Sequence, residues 1–232
     1  VNLKPAYDYY LSCLQEHVQQ GVALLGEQGG YIEVPNFVPG SQYMPFSSQL
    51  SFFGQPVPYW MYISGNNVLS EQVPTKTMME EQLGKYVSDR LEDCDFSQYN
   101  AQGFDFFVDP GTVNAAINDM SVQVVANNPM SILFENQSAL VSKHTVNIDS
   151  KLGKFYNLAI ETYNHEKSST FLENYAVDVL RTYAPVDGVE MSCSIVPLSH
   201  SLAMVSDVRR AAIIIMMIAI RPGTIKFFDS KS

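Results

Sequence analysis

The sequence predicts an α+β fold. Two stretches in the first hundred residues carry apolar side chains at steps of three and four. The span 103–149 instead alternates apolar with polar residues and is punctuated by Asp109-Pro110-Gly111-Thr112 and Asn127-Asn128-Pro129. Helical periodicity then returns from residue 150.

The first helix is expected over 4–27, where Tyr7, Leu11, Leu14, Val18, Val22 and Leu25 form one stripe. Pro5 suits its first turn. Gly26 and Gly29-Gly30 supply the stop, because glycine takes a left-handed cap at least cost. Tyr31 to Val34 reads as a short strand. Residues 35–58 are rich in Pro, Gly and Ser but also hold Phe37, Tyr43, Phe46, Phe52 and Phe53, so an ordered loop or irregular hairpin is expected, not a flexible linker. Tyr59 to Ser64 reads as a strand ending at Gly65-Asn66. A second helix is expected from about Thr77 to Asp93, with Thr77 and Glu80 as a capping box and Met79, Leu83, Val87, Leu91 and Cys94 near one stripe.

The alternating region predicts an antiparallel meander of four or five strands: 103–109, 112–117, 120–126, 131–135 and 140–148, with Asn136-Gln137-Ser138 at a hairpin tip. Leu152, Phe155, Tyr156, Ala159 and Tyr163 then give a helical face, His165 to Ser169 a break, and Thr170 with Glu173 a second capping box for a helix ending before Pro185. Strands are expected at 189–196, 211–220 and 224–228. The chain divides near residue 100 into a helical region with the aromatic loop (1–100) and an α+β region with the sheet (101–232), as two units or as one continuous domain.

The 232 residues are 46% hydrophobic, enough for a packed core, and only 16% charged. Lys and Arg number 14 against 24 Asp and Glu, a net charge of −10, which argues against nucleic acid and against anionic membrane surfaces. The longest apolar run, Ala211 to Ile220, falls short of the roughly 18 residues a span needs and reads as a buried strand. Left alone it would be a hazardous edge, so it is expected to lie centrally in the sheet or to be completed by another subunit. The chain begins at Val1 and not at Met, so it is expected to be processed or truncated, and a signal peptide or N-terminal anchor is one segment that either would remove.

Candidate chemistry is sparse, and no cofactor is expected. Cys13, Cys94 and Cys193 include no C-x-x-C pair. Cys13 lies beside Leu14, and Cys94 ends the stripe of the second helix. If the two helices pack, these thiols can meet, and a bridge would close a loop of about 80 residues, worth on the order of 4.5 kcal/mol. One bridge with a free Cys193 and three reduced thiols both satisfy the count. Cys13 and His17, four apart on one helix, have the spacing of half a metal site or of a thiol–imidazole pair, although a structural Cys beside a surface His is the commoner outcome. The glycines at 26, 29 and 30 follow a helix and cannot cradle phosphate at its amide end. Asp93, Asp95, Ser97 and Tyr99 alternate as in a calcium loop but lack its glycine and closing Glu. Ser199-His200-Ser201 has no nucleophile elbow. Asn136-Gln137-Ser138 is a glycosylation sequon if the protein is exported. Tyr59, Trp60 and Tyr62 are the densest aromatic feature, suited to stacking on a sugar or partner, or else to pinning the long loop onto the sheet.

Three motifs occur together: Leu24-Leu25-Gly26-Glu27-Gln28-Gly29-Gly30-Tyr31-Ile32, Val57-Pro58-Tyr59-Trp60, and Met79-Glu80-Glu81-Gln82-Leu83 followed by Tyr86-Val87 and Cys94. With Ser12-Cys13-Leu14 they resemble a family of uncharacterised archaeal surface proteins over residues 5–165. The resemblance implies a pilin-like N-terminal membrane anchor ahead of an exported ectodomain, and it favours joining Cys13 to Cys94. Membrane attachment is expected only through such an anchor.

The expected function is that of a non-enzymatic cell-surface protein working through contacts with other subunits, self-association included, as part of a filament or coat. The alternatives are a carbohydrate- or peptide-binding module using residues 31–64 and, behind it, a secreted hydrolase whose site is assembled only in space.

Overall fold

A computed structural model describes residues 3–42, 45–172 and 174–175. The strands expected at 189–196, 211–220 and 224–228, most of the helix expected after Thr170, Ser199-His200-Ser201 and Cys193 lie outside the described residues.

The chain is α+β. Helix α1 (Lys4–Glu27) occupies its expected span, buries Tyr10, Leu14, Val18 and Leu25, and ends where Gly29 and Gly30 take positive φ. The segment 31–34 is not a strand. The backbone N–H groups of Ile32 and Glu33 both donate to Oε1 of Gln82, at 2.7 and 3.1 Å, so a side chain from the second helix replaces a strand ladder. A hairpin follows, β1 (Gln49–Phe52) with β2 (Gln55–Pro58), then a smaller one, β3 (Met61–Ile63) with β4 (Leu69–Glu71).

Helix α2 (Lys76–Arg90) is capped by Thr75, whose hydroxyl accepts from the N–H of Met78 at 3.1 Å, and not by Thr77. Glu80 does not close a capping box. Its carboxylate accepts from the N–H of Ile117 at 2.8 Å and so ties the helix to the sheet. A single 3₁₀ turn, Leu91–Asp93, carries the chain to Cys94, and the short helix α3 (Ser97–Asn100) follows.

The β region holds six antiparallel strands: β5 (Phe104–Val108), β6 (Thr112–Ile117), β7 (Ser121–Asn127), β8 (Met130–Phe134), β9 (Gln137–Val141) and β10 (His144–Asp149). The expected run 140–148 is thus divided, its first residues closing β9 and the rest forming β10. Hydrogen bonding gives two sheets, ordered β6-β7-β10 and β5-β8-β9. Together they are three long strands bent along one line: β5 leads into β6, β7 into β8, and β9 into β10. The register shifts by one residue across this crease, from Val108 opposite Met130 to Thr112 opposite Asn127. The expected turns at Pro110-Gly111 and Asn128-Pro129 therefore bend the strands without reversing them. Gly111 sits where the layers touch, since a Cβ there would lie 2.2 Å from the carbonyl oxygen of Asn127.

The main core joins α1 and α2 to the β6-β7-β10 sheet through Leu14, Val18, Met79, Leu83, Val87, Val122, Val124 and Ile148. Gly84 lets α2 approach β6, because a Cβ there would stand 2.6 Å from the carbonyl oxygen of Val113. The start of α1 packs on the other sheet, through Ala6 and Tyr10 against Met130 and Ile132. The crease between the sheets is filled by His144, which is fully buried. Its Nε2 lies 2.9 Å from the Asn128 carbonyl oxygen and its Nδ1 3.2 Å from the Tyr7 hydroxyl, while Asn128 donates its side-chain N–H to the Tyr10 hydroxyl at 2.8 Å. Burial lowers the pKa of His144.

Helix α4 (Leu152–Ser169) runs unbroken through His165 to Ser169 and ends where Thr170 adopts φ 54°. The hydroxyls of Ser168 and Ser169 donate to the His165 carbonyl, which satisfies the last turn from within. No described helix is long and apolar enough to cross a membrane.

Candidate functional site

A groove of about 1030 Å³ lies between the second half of α1, the β1–β2 hairpin and the start of α4. Val22, Ala23, Val57, Leu152 and Phe155 make its apolar wall, and Glu27, Asp149 and Lys151 are its charged residues. No histidine or cysteine among the described residues lines it. These side chains come from segments more than 130 residues apart, which is why nothing in the sequence announced the groove.

Phe52 and Phe53 overhang it from the hairpin tip, their rings 4.6 Å apart and edge to face. The two central residues of this turn, Phe53 and Gly54, have φ of 49° and 82°. That is the left-handed pattern of a tight hairpin, for which Asn-Gly is the low-cost choice. A phenylalanine in left-handed backbone is strained, and this one is also 91% exposed. Among the described residues its one ring contact is with Phe52. A further exposed apolar set, Phe107, Leu133 and Leu140, lies across the outer face of β5-β8-β9.

The aromatic triplet is distributed otherwise. Trp60 is 2% exposed, packs edge to face on Tyr163 at 5.7 Å and donates its indole N–H to the Gly29 carbonyl at 2.9 Å. It pins the loop to α1 and α4 and turns no face to solvent. Tyr59 and Tyr62 are half-buried. Tyr31 is buried as well and donates its hydroxyl to the Gln72 carbonyl at 2.6 Å, and its burial pushes its pKa to about 12. Tyr163 reaches about 12 through burial and the neighbouring Glu71 carboxylate, which in turn is held low by Lys167 at 2.6 Å.

Cys13 and Cys94 stand at disulfide geometry, with Cα atoms 6.0 Å apart and a sequence separation of 81. α1 and the turn after α2 bring them together. His17 Nε2 lies 3.5 Å from Cys13 Sγ. The helical spacing of Cys13 and His17 was readable, but the third member, Cys94, arrives only through the fold. Asn136 is exposed between β8 and β9, beside Glu135 with φ 52°, at the hairpin tip where the sequon was expected. Asp95 accepts from the N–H and hydroxyl of Ser97, which lowers its pKa and starts α3 in place of a calcium loop.

Comparison with family models, with curated proteins and with solved structures finds no match to this chain.

Proposed function

We propose that this is an extracellular surface protein that acts by contact with further copies of itself, as a subunit of a filament or coat, and not by turnover. The observation that carries the reading is Phe53: an exposed ring held in strained backbone above an apolar groove. Strain retained at an exposed tip points to use, because selection for folding alone would replace it. The groove on one copy matches in character the ring offered by the next. The Cys13–Cys94 pair supports export, since structural disulfides persist in oxidising compartments. The sequon at an exposed tip agrees with it. Attachment to a membrane would be through an N-terminal anchor.

The substitution Phe53→Asn tests this, because asparagine suits the left-handed turn and removes the ring. Native mass spectrometry and light scattering over a wide concentration range are expected to show association of the wild type. Phe53→Asn should be monomeric, with a melting temperature equal to or above the wild type. A wild type that stays monomeric throughout, or a variant that associates as strongly, would overturn the proposal.

A further inference from the structure

We propose that, once reduced, Cys13, Cys94 and His17 form a three-ligand site for a thiophilic d¹⁰ cation, with Zn²⁺ as the probe, so that the same sulfurs serve as a disulfide in one state and as metal ligands in the other. This is independent of the self-association proposed above.

Three observations carry it. First, the donor atoms of the three residues lie within 4.8 Å of one another, and no other group of three or more His, Cys, Asp or Glu among the described residues meets that condition. Second, the geometry is that of the metal. A tetrahedral zinc with Zn–S of about 2.3 Å and Zn–N of about 2.05 Å has a sulfur-to-nitrogen edge of about 3.6 Å. Cys13 Sγ and His17 Nε2 are 3.5 Å apart. They sit at i and i+4 on α1, so the rigid helix holds this edge ready-made. The sulfur-to-sulfur edge would be about 3.8 Å by the same arithmetic. With Cα atoms 6.0 Å apart, the site asks only that Cys94 Sγ swing about its Cα–Cβ bond while Cys13 Sγ stays beside His17. Third, His17 is 9% exposed and turns Nε2, the nitrogen a metal would take, toward the sulfur of Cys13, which among the described residues is the one hydrogen-bonding neighbour of its ring. Its Nδ1 has no partner among the described residues and would carry the ring proton when Nε2 binds a metal.

A dithiol reductant gives two electrons and, through solvent, its two thiol protons to the S–S bond, which breaks to two thiols, and the reductant becomes a disulfide. A phosphine gives two electrons while water supplies the two protons and the oxygen of the phosphine oxide. Zn²⁺ then binds both sulfurs as thiolates, releasing two protons to solvent, and takes the Nε2 lone pair of His17. Three protein ligands leave the fourth position to water.

The test uses the full chain carrying Cys193→Ser, so that Cys13 and Cys94 are the only thiols, reduced with a phosphine under inert gas. Co²⁺ is expected to give the visible bands of tetrahedral thiolate coordination and to be displaced by one equivalent of Zn²⁺. The oxidised protein should show neither. His17→Leu, which keeps the packing volume, should weaken zinc by at least about 100-fold against a chromophoric chelator, a loss that even outer-sphere partners of a metal site can reach. If reduction loosens the fold, zinc should restore the far-ultraviolet circular dichroism in the Cys193→Ser protein and not in His17→Leu. Equal zinc affinity with Leu at 17, metal uptake by the oxidised protein, or no stoichiometric uptake by the reduced one would overturn the proposal.

Discussion

Replacing Trp60 with alanine separates the two uses of the aromatic segment. The ring is buried among Ala159, Tyr163, Met61 and Val73. Emptying such a site costs about 3–5 kcal/mol. The Gly29 carbonyl would also lose the indole donor at 2.9 Å, a penalty of about 1–3 kcal/mol where no water enters. The terms overlap, so a total of about 5 kcal/mol is expected, a large part of the stability of a domain of this size. With a urea dependence of about 2 kcal/mol per molar, the unfolding midpoint should fall by about 2 M or more. Far-ultraviolet circular dichroism is the proper probe, since Trp60 is the only tryptophan and the variant has no indole fluorescence. In the wild type the same ring reports directly: its emission should be blue-shifted, poorly quenched by acrylamide and unchanged by glycans. A variant within about 0.5 M of the wild-type midpoint, together with glycan-dependent quenching, would show that the ring faces a ligand and that the packing argument fails.

Three further outcomes follow from the packing. Reduction, or Cys13→Ala with Cys94→Ala, should cost up to about 4.5 kcal/mol by loop closure, and the double variant should lose no more than either single one, because one crosslink is removed in each case; thermal denaturation with and without reductant decides it. His144 has its pKa lowered by burial, so the unfolded chain binds its proton more readily; the stabilising contribution is full above about pH 6.5 and is lost as pH falls toward the folded value. Urea titrations between pH 7 and 5 should show this loss in the wild type and a smaller one in His144→Gln, the groups facing the ring being Tyr7, Tyr10 and Asn128; equal slopes would refute it. Gly84→Ala places a Cβ 2.6 Å from the Val113 carbonyl oxygen and should cost about 1–3 kcal/mol by forcing α2 off β6, measurable by chemical denaturation.

Periodicity made α1 and most of α2 readable, because each helix buries one stripe and the stripe is local. What escaped was set by partners distant in sequence. Thr77 and Glu80 make a plausible box, but Glu80 satisfies the N–H of Ile117 on another element, so the cap passes to Thr75. Residues 31–34 have strand composition, yet Gln82 takes their N–H groups. The turn chemistry at Pro110-Gly111 and Asn128-Pro129 was visible, but a bend and a reversal use the same residues, and only pairing of three strands distinguishes them. The stripes allowed Cys13 to meet Cys94 if the two helices packed, but that packing is a property of the fold. Trp60 was assignable to either face of its segment until Gly29 and Tyr163 fixed it inward. Phe53 was visible only as one more aromatic, since its meaning lies in a backbone angle.

The covalent link between residues 13 and 94 also sets how the chain carries mechanical load. Tension applied at the ends of the described chain passes along the first turns of α1, crosses the sulfurs and enters the β region. The 80 residues between the two cysteines, which bear Phe53 and Trp60, lie outside that load path. Fully drawn out they would amount to about 280 Å of stored length, at about 3.4 Å per residue, released only when the bridge is cut.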